Sequence, residues 1–205
     1  SLTLSLLISL PLAVWTAVKK GGVLDHVVRF FSFLGNSLPN FLLSVLLMYV
    51  FCIRLKLLPV IADGSVRGLL LPCLALSIPL CSRFTRQFRA ELLEQLGREY
   101  VLAARTRGVK WRYLLPRDVL RNAAPAIVTI VALSVGALLG GSVVIETIFS
   151  WPGLGKLAMD AITARDYPVI QGFVLFSSVA YVLVNLAADF LCRAVDPRVG
   201  EEVRP

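Results

Sequence analysis

The sequence predicts an all-α membrane protein, a polytopic bundle of about five transmembrane helices, and three observations predict it. Of its 205 residues, 57% are hydrophobic and 17% charged, and the mean hydropathy is +0.78. Globular domains average about 45–50% apolar, so a soluble fold of this length would leave much of that surface in water. The apolar residues also fall in long uncharged runs, and the charges collect at the ends of those runs. A net charge of +8 on a soluble chain would point to nucleic acid. Collected at span ends, it points instead to a lipid bilayer and to no nucleic-acid role.

A helix needs about 20 apolar residues to cross the hydrocarbon, and five segments meet or approach that length. Leu2 to Val18 is apolar from the start. Phe30 to Ile53 is uncharged over 24 residues, with Pro39 in its first half. Gly68 to Ser82 offers only 15, and extends through Phe84 if Arg83 snorkels to the interface. Ala123 to Ile145 is uncharged over 23 residues, and Tyr167 to Ala188 completes the set.

Lys and Arg gather in cytoplasmic loops, which orients the bundle. With the Lys19–Lys20 turn in the cytoplasm, 16 of the 21 basic residues fall on cytoplasmic segments. Arg54, Lys56, Arg67, Lys156 and Arg165 remain outside, and the C-terminus is cytoplasmic. The chain begins inside an apolar run without a basic signal-peptide segment, so it reads as a fragment missing at least one upstream span. The organisation is then an N-terminally truncated membrane domain over 1–199, a cytoplasmic loop over 83–122 within it, and a tail over 200–205.

Cys52, Cys73, Cys81 and Cys192 lie in or beside the spans and form no C-x-x-C pair, so neither a zinc site nor a redox motif is indicated. His26 is the sole histidine, which argues against a histidine-built metal site. No G-x-x-x-x-G-K-[ST] occurs: Gly153-Leu154-Gly155-Lys156 is too short and lies outside. The chain is therefore expected to be no enzyme and to carry no catalytic residues, cofactor or metal of its own.

The long basic loop carries the most specific signal. It reads EYVLAARTRGVKWRYLLPRDVLRNAAP from Glu99 to Pro125. Within it, Ala103 and Ala104 would let a partner's groove come close to a short helix, Gly108 permits the turn that ends it, and Arg105 and Arg107 present charge. An ordinary solvated basic loop is the plainer reading of the same residues. Phe84, Phe88 and Leu92 form an i, i+4, i+8 stripe on the helix before it.

This loop resembles the EAA loop of bacterial ABC-importer permeases, in the branch that carries dipeptides, oligopeptides, nickel and glutathione. In the pattern E-A-A-x-x-x-G-x9-I-x-L-P, Ala103, Ala104, Gly108 and Leu120 match, while Leu102, Asp118 and Arg121 replace its Glu, Ile and Pro. Glu146-Thr147-Ile148-Phe149-Ser150-Trp151-Pro152-Gly153-Leu154-Gly155 is similar to the branch's outer-loop signature, with Glu146, Trp151, Pro152, Gly153 and Gly155 as its marks. Arg165-Asp166-Tyr167-Pro168 and Asp196-Pro197-Arg198 extend the likeness, which covers about Leu24 to Val199. The resemblance implies a type I importer permease fold in the inner membrane. It also implies a second, similar permease, two cytoplasmic ATPases that hold ATP and Mg, and an extracytoplasmic substrate-binding protein. A coupling helix at Tyr100 to Arg107 would dock in the ATPase, through Ala103, Ala104, Arg105 and Gly108. Peptide is the expected cargo, with nickel or glutathione as the alternative.

Smaller signals are open to two readings each. Gly136 and Gly140 form a G-x-x-x-G followed by Gly141, fit for close helix packing in lipid, within this subunit or against the paired permease. Asn36 and Asn40, one turn apart, with Gln171 and Asn185, line a path or bond helix to helix. Glu146 caps a loop through backbone donors or attracts a cationic cargo. A channel or gradient-driven transporter is the reading from another class, for which embedded acids or a repeated filter segment are the expected signs.

Overall fold

The computed structural model describes residues 1–60 and 65–195, and among them it is helical with turns and no strands. The order is α1 (Leu2–Val18), α2 (Val23–Ser37), α3 (Asn40–Met48) running into a π-helical turn (Tyr49–Arg54), and α4 (Val66–Leu96). Then come α5 (Glu99–Thr106), α6 (Trp111–Leu114), a second π-helical turn (Leu115–Val119), α7 (Leu120–Ile148), α8 (Leu154–Ala164) and α9 (Tyr167–Val195). The Asp196-Pro197-Arg198 likeness and the 200–205 tail lie outside the described residues.

α4 is the spine: α1, α2, α3 and α7 all pack on it. Its start is set by Ser65, whose hydroxyl accepts from the Gly68 N–H at 3.2 Å, a side-chain cap for an otherwise unpaired donor. α1 meets it through Ser5, Ser9, Ala13 and Ala17, all buried and spaced every fourth residue. Small side chains on one helix face let two backbones approach, which is what drives association where lipid is as apolar as the helix. The Ser5 hydroxyl donates to the Ser77 carbonyl at 3.1 Å, and the Ser77 hydroxyl to the Ser1 carbonyl at 3.2 Å.

Among the described residues three helices are long and apolar enough to cross a membrane, Val66–Leu96, Trp111–Gly140 and Tyr167–Ala194, and α1 is shorter. The expected span Phe30 to Ile53 is not one straight helix. α2 and the α3 run meet at a 97° bend, centred on Leu38 and Pro39. Proline disfavours helical backbone in the residue before it, and Leu38 sits at φ −84°, ψ 127°. Counting that bent pair as one crossing gives four, so the expected five correspond to three clear spans, a bent one and a short one. The span expected at Gly68 to Ser82 does not stop near Phe84 either; the helix runs on to Leu96.

Two packed clusters sit at opposite ends. One joins Ala13 and Ala17 of α1, Leu80, Phe84, Phe88 and Leu92 of α4, Val101 and Ala104 of α5, and Leu114, Val119 and Ala123 beyond. The other joins Cys52, Leu71, Ala75, Ile145 and Phe149. α9 packs on α7 and α8 and leaves Leu175, Val182 and Phe190 exposed, a surface that suits lipid.

The Lys19–Lys20 turn and the far half of α4 come together at one end of the bundle. Asp25 is fully buried between them. Its Oδ1 lies 2.9 Å from Arg89 Nε, and its Oδ2 accepts from Arg89 Nη2 at 2.9 Å and from the Gly21 N–H at 3.0 Å. Removing one member of a buried pair costs about 3–5 kcal/mol, because the other charge stays behind. Asp25→Asn should therefore lower the melting temperature of the detergent-solubilised subunit, and adding Arg89→Gln should recover much of the loss. An unchanged melt in Asp25→Asn would show the pair to be dispensable.

Candidate functional site

The basic loop folds as a short helix clamped to the end of the bundle. α5 spans Glu99–Thr106, close to the expected Tyr100 to Arg107. It stops at Gly108, whose φ of +79° lies in the left-handed region; only glycine adopts this at little cost. The Gly108 N–H donates to the Arg105 carbonyl at 2.9 Å and the Val109 N–H to the Ala104 carbonyl at 3.1 Å, closing the last turn.

The two faces of α5 differ. Val101 and Ala104 are buried in the same cluster as the Phe84, Phe88 and Leu92 stripe, whose two rings stack at 5.1 Å. The expectation that both alanines face a partner is thus half corrected. Ala104 turns inward, where its small side chain lets α5 sit close to its own bundle, and Ala103 alone is outward. The outer face carries Leu102, Ala103, Arg105 and Thr106, continued by exposed Val109, Trp111 and Tyr113. Arg105 lies over the Trp111 ring at 5.4 Å and Arg112 over Tyr113 at 4.8 Å, so the surface is apolar and basic together.

The outer-loop residues build one tight turn. The Trp151 N–H donates to the Glu146 carbonyl at 2.8 Å, and Glu146 Oε2 accepts from the Lys156 N–H at 2.9 Å. Glu146 thus caps the start of α8, where a carboxylate meets free backbone donors. Pro152 precedes Gly153, and both glycines have a steric reason. A Cβ on Gly153 would run into the Glu146 carboxylate, and one on Gly155 would come within 2.7 Å of Val143 Cα.

The polar residues of the spans do not converge. Asn36 is exposed on α2, Gln171 is exposed on α9, and Asn185 donates to the Tyr181 carbonyl of its own helix at 3.0 Å. The bend at Pro39 separates Asn36 from Asn40, which one straight helix would have put on one face. Asn40 borders a cavity of about 130 Å³ between α3, α4 and α7, together with Arg83 and Ser134. Arg83 is itself exposed, and α4 runs on past it to Leu96. Sequence reasoning also passed over Asp25, although it is the sole acid before Asp63, a signal that could have found it. Among the described residues, no three His, Cys, Asp or Glu side chains gather as a metal-binding group.

The glycines of α7 are unlike one another. A Cβ on Gly136 would meet the Tyr181 ring at 2.6 Å, so Gly136 seats α9 within this subunit, whereas Gly140 has open space. Gly141 follows in the same turn of α7.

The sequence model of the family described as binding-protein-dependent transport system inner membrane component matches residues 9–201. A putative peptide permease protein of Brucella suis biovar 1 (strain 1330) is 35% identical over 208 residues, covering 97% of this chain and 65% of that protein. The nickel import system permease protein NikB of Staphylococcus aureus (strain bovine RF122 / ET3-1) is 39% identical over 198 residues, covering 97% and 59%. The chain thus spans less than two thirds of the length of either relative. A solved structure of the MetNI methionine ABC transporter in an inward-facing conformation superposes with a TM-score of 0.70 at 20% identity, covering 93% of this chain and 87% of that one. The fold is shared with that permease.

Leucine at Gly136 should lower the melting temperature of the subunit purified alone, because Tyr181 must move. Leucine at Gly140 should leave that melt unchanged. Equal losses at both positions would contradict the separation drawn here.

Proposed function

The chain belongs to the family of binding-protein-dependent transport system inner membrane components, and from that membership we propose that it is the membrane-spanning subunit of an ATP-driven importer for short peptides. The observation that carries this reading is α5. Its inner face is fixed to the bundle by Val101 and Ala104, and its outer face presents Leu102, Ala103 and Arg105 to solvent. Such a helix transmits a push from a soluble partner to the spans without unfolding. The partner is one of two cytoplasmic ATPases, which bind ATP and Mg and supply the energy. A second, similar permease completes the pathway, and an extracytoplasmic binding protein delivers the cargo. In this arrangement the C-terminus and α5 lie in the cytoplasm, and the Glu146–Lys156 turn faces the binding protein.

Peptide is preferred over nickel or glutathione as cargo. The Brucella relative is named for peptides and the Staphylococcus relative for nickel, so the choice needs a measurement. ATP-driven uptake in vesicles holding the assembled complex, with a dipeptide and nickel offered separately, makes it. Dipeptide uptake that stops when the ATPases are inhibited is the expected result. Uptake that ignores ATP and follows an ion gradient would overturn the reading.

Gly108→Val tests the coupling role. Valine at φ +79° is a backbone outlier, so the end of α5 must rearrange while the spans, far from the change, still insert. The expected outcome is normal membrane insertion with ATP hydrolysis no longer tied to uptake. Unchanged uptake would remove α5 from the coupling path.

A further inference from the structure

The hairpin of α1 and α2 leaves a groove that the rest of the bundle does not fill. Each helix packs on α4 far more than on the other. α2 comes down on α4 at Gly35, where a Cβ would run into the Ser82 hydroxyl, and α1 at Ser5, whose hydroxyl reaches the Ser77 carbonyl. Between the two lies a space of about 460 Å³, walled by Ile8 and Leu12 of α1 and by Phe31 and Leu34 of α2, and floored by Leu74 and Ile78 of α4. Two hydroxyls that border it are turned to backbone. Ser77 donates to the Ser1 carbonyl at 3.2 Å and Ser82 to the Ile78 carbonyl at 2.9 Å. What fills such a groove is apolar along its length.

One end of the groove is basic. Leu4, Ile8 and Leu12 line it at every fourth position of α1, and the same helix face continues through Trp15 to Lys19. Lys19 Nζ lies 5.6 Å from the centre of the exposed Trp15 ring, an amphipathic ring and a cation paired as at a membrane interface. Lys19 and Lys20 are exposed and make no ion pair with any described residue. Asp25, the acid of the hairpin, is buried and taken by Arg89 and Arg29. The acids that follow on α4 are engaged along their own chain, Glu91 by Gln95 and Glu94 by Arg98. The turn therefore presents positive charge only. Its distance from the far end of the groove also fits. Lys19 to Leu4 is about 22 Å along a helix, and one leaflet with its headgroups is about 20–22 Å, half of the whole bilayer.

We propose that this groove seats one acyl chain of an anionic phospholipid, whose phosphate is held at Lys19 and Lys20. Basic residues beside a gap between spanning helices are where acidic headgroups bind. A further helix fits less well. It is about 10–12 Å across and settles about 8–10 Å from its neighbours, so it would ride on the rims of α1 and α2 and leave the floor at Ile78 empty. A single hydrocarbon chain reaches that floor. The site depends on the subunit lying in a bilayer and not on which cargo it carries.

The test extracts the complete importer from vesicles of equal phosphatidylcholine and phosphatidylglycerol, and counts the phospholipid each complex retains by native mass spectrometry. The unmodified complex should retain phosphatidylglycerol in preference. Lys19→Gln should weaken that retention about fivefold, the share of one lysine at an anionic surface, and leave phosphatidylcholine unchanged. Adding Lys20→Gln should deepen the loss. Arg67→Gln removes the same charge from the other end of α4 and should change nothing. Ile78→Trp fills the floor of the groove and should release the retained phospholipid whatever its headgroup. Equal retention of the two lipids by the unmodified complex, or of neither, would overturn the site. A loss from Arg67→Gln as large as that from Lys19→Gln would also overturn it, since diffuse surface charge would then suffice. So would Ile78→Trp that keeps its phospholipid, or that breaks the pairing with a second permease while the phospholipid stays, because the groove would then belong to a helix. If Ile78→Trp does not assemble, the milder Ile78→Phe decides by the same readout. None of these readouts uses transport, so the importer reading stands or falls separately.

Discussion

At 31 residues, α4 is about 46 Å long at 1.5 Å per residue, while the hydrocarbon core is about 30 Å thick. That excess is the constraint around which the rest is arranged. A helix that ended at the membrane surface would leave the basic loop tethered by a flexible chain. Because α4 continues, Phe84, Phe88 and Leu92 carry a buried stripe beyond the apolar stretch, and α5, α6 and the first turns before α7 have something to pack on. The Asp25–Arg89 pair then ties the α1–α2 turn to the same extension. Every element at this end is held to one rod. That rod is positioned in turn by the small-residue face of α1.

The parts legible in the sequence are those governed by a single strong term. Long uncharged runs announce α7 and α9, as lipid-crossing helices require. The Phe84, Phe88 and Leu92 spacing announces a buried stripe, and Gly108 announces the end of α5, since its turn requires a positive φ. What the sequence hid depends on which neighbour a residue meets. Pro39 was visible, but whether it kinks a span or breaks it by 97° depends on what packs on either side. Ala103 and Ala104 look alike in the sequence, and the rotation of about 100° between neighbouring helix positions sends one outward and the other into the core. Gly136 and Gly140 share a motif, yet Tyr181 crosses at the first and open space lies beside the second. The fourfold repeat of Ser5, Ser9, Ala13 and Ala17 was there to be read as a packing face. Its hydroxyls disguised it within an apolar run.

Charge was legible by side and illegible by partner. The excess of Lys and Arg on one set of loops is what the expected orientation rests on, a collective signal that needs no contacts. Individual charges follow their neighbours instead. Arg89 has Asp25, Arg98 has Glu94 at 2.7 Å, and Arg105 has the Trp111 ring. Arg83 sits in the same stretch of sequence with none of these, because the turn of α4 that carries it faces α3 and α7 and not the loop.

The two packed clusters and the cavity between them bear on the proposed coupling at α5. Protein interiors are close-packed, so they pass on displacement with little loss, and the stacked Phe84 and Phe88 rings beneath α5 leave no slack. The outer cluster around Leu71, Ala75, Ile145 and Phe149 is similarly filled. Between them lie Pro79, which gives α4 no backbone donor at that turn, the start of α3 at Asn40, and a void beside Ser134. If α5 is the coupling helix proposed above, this less filled level is where a push on it is taken up first.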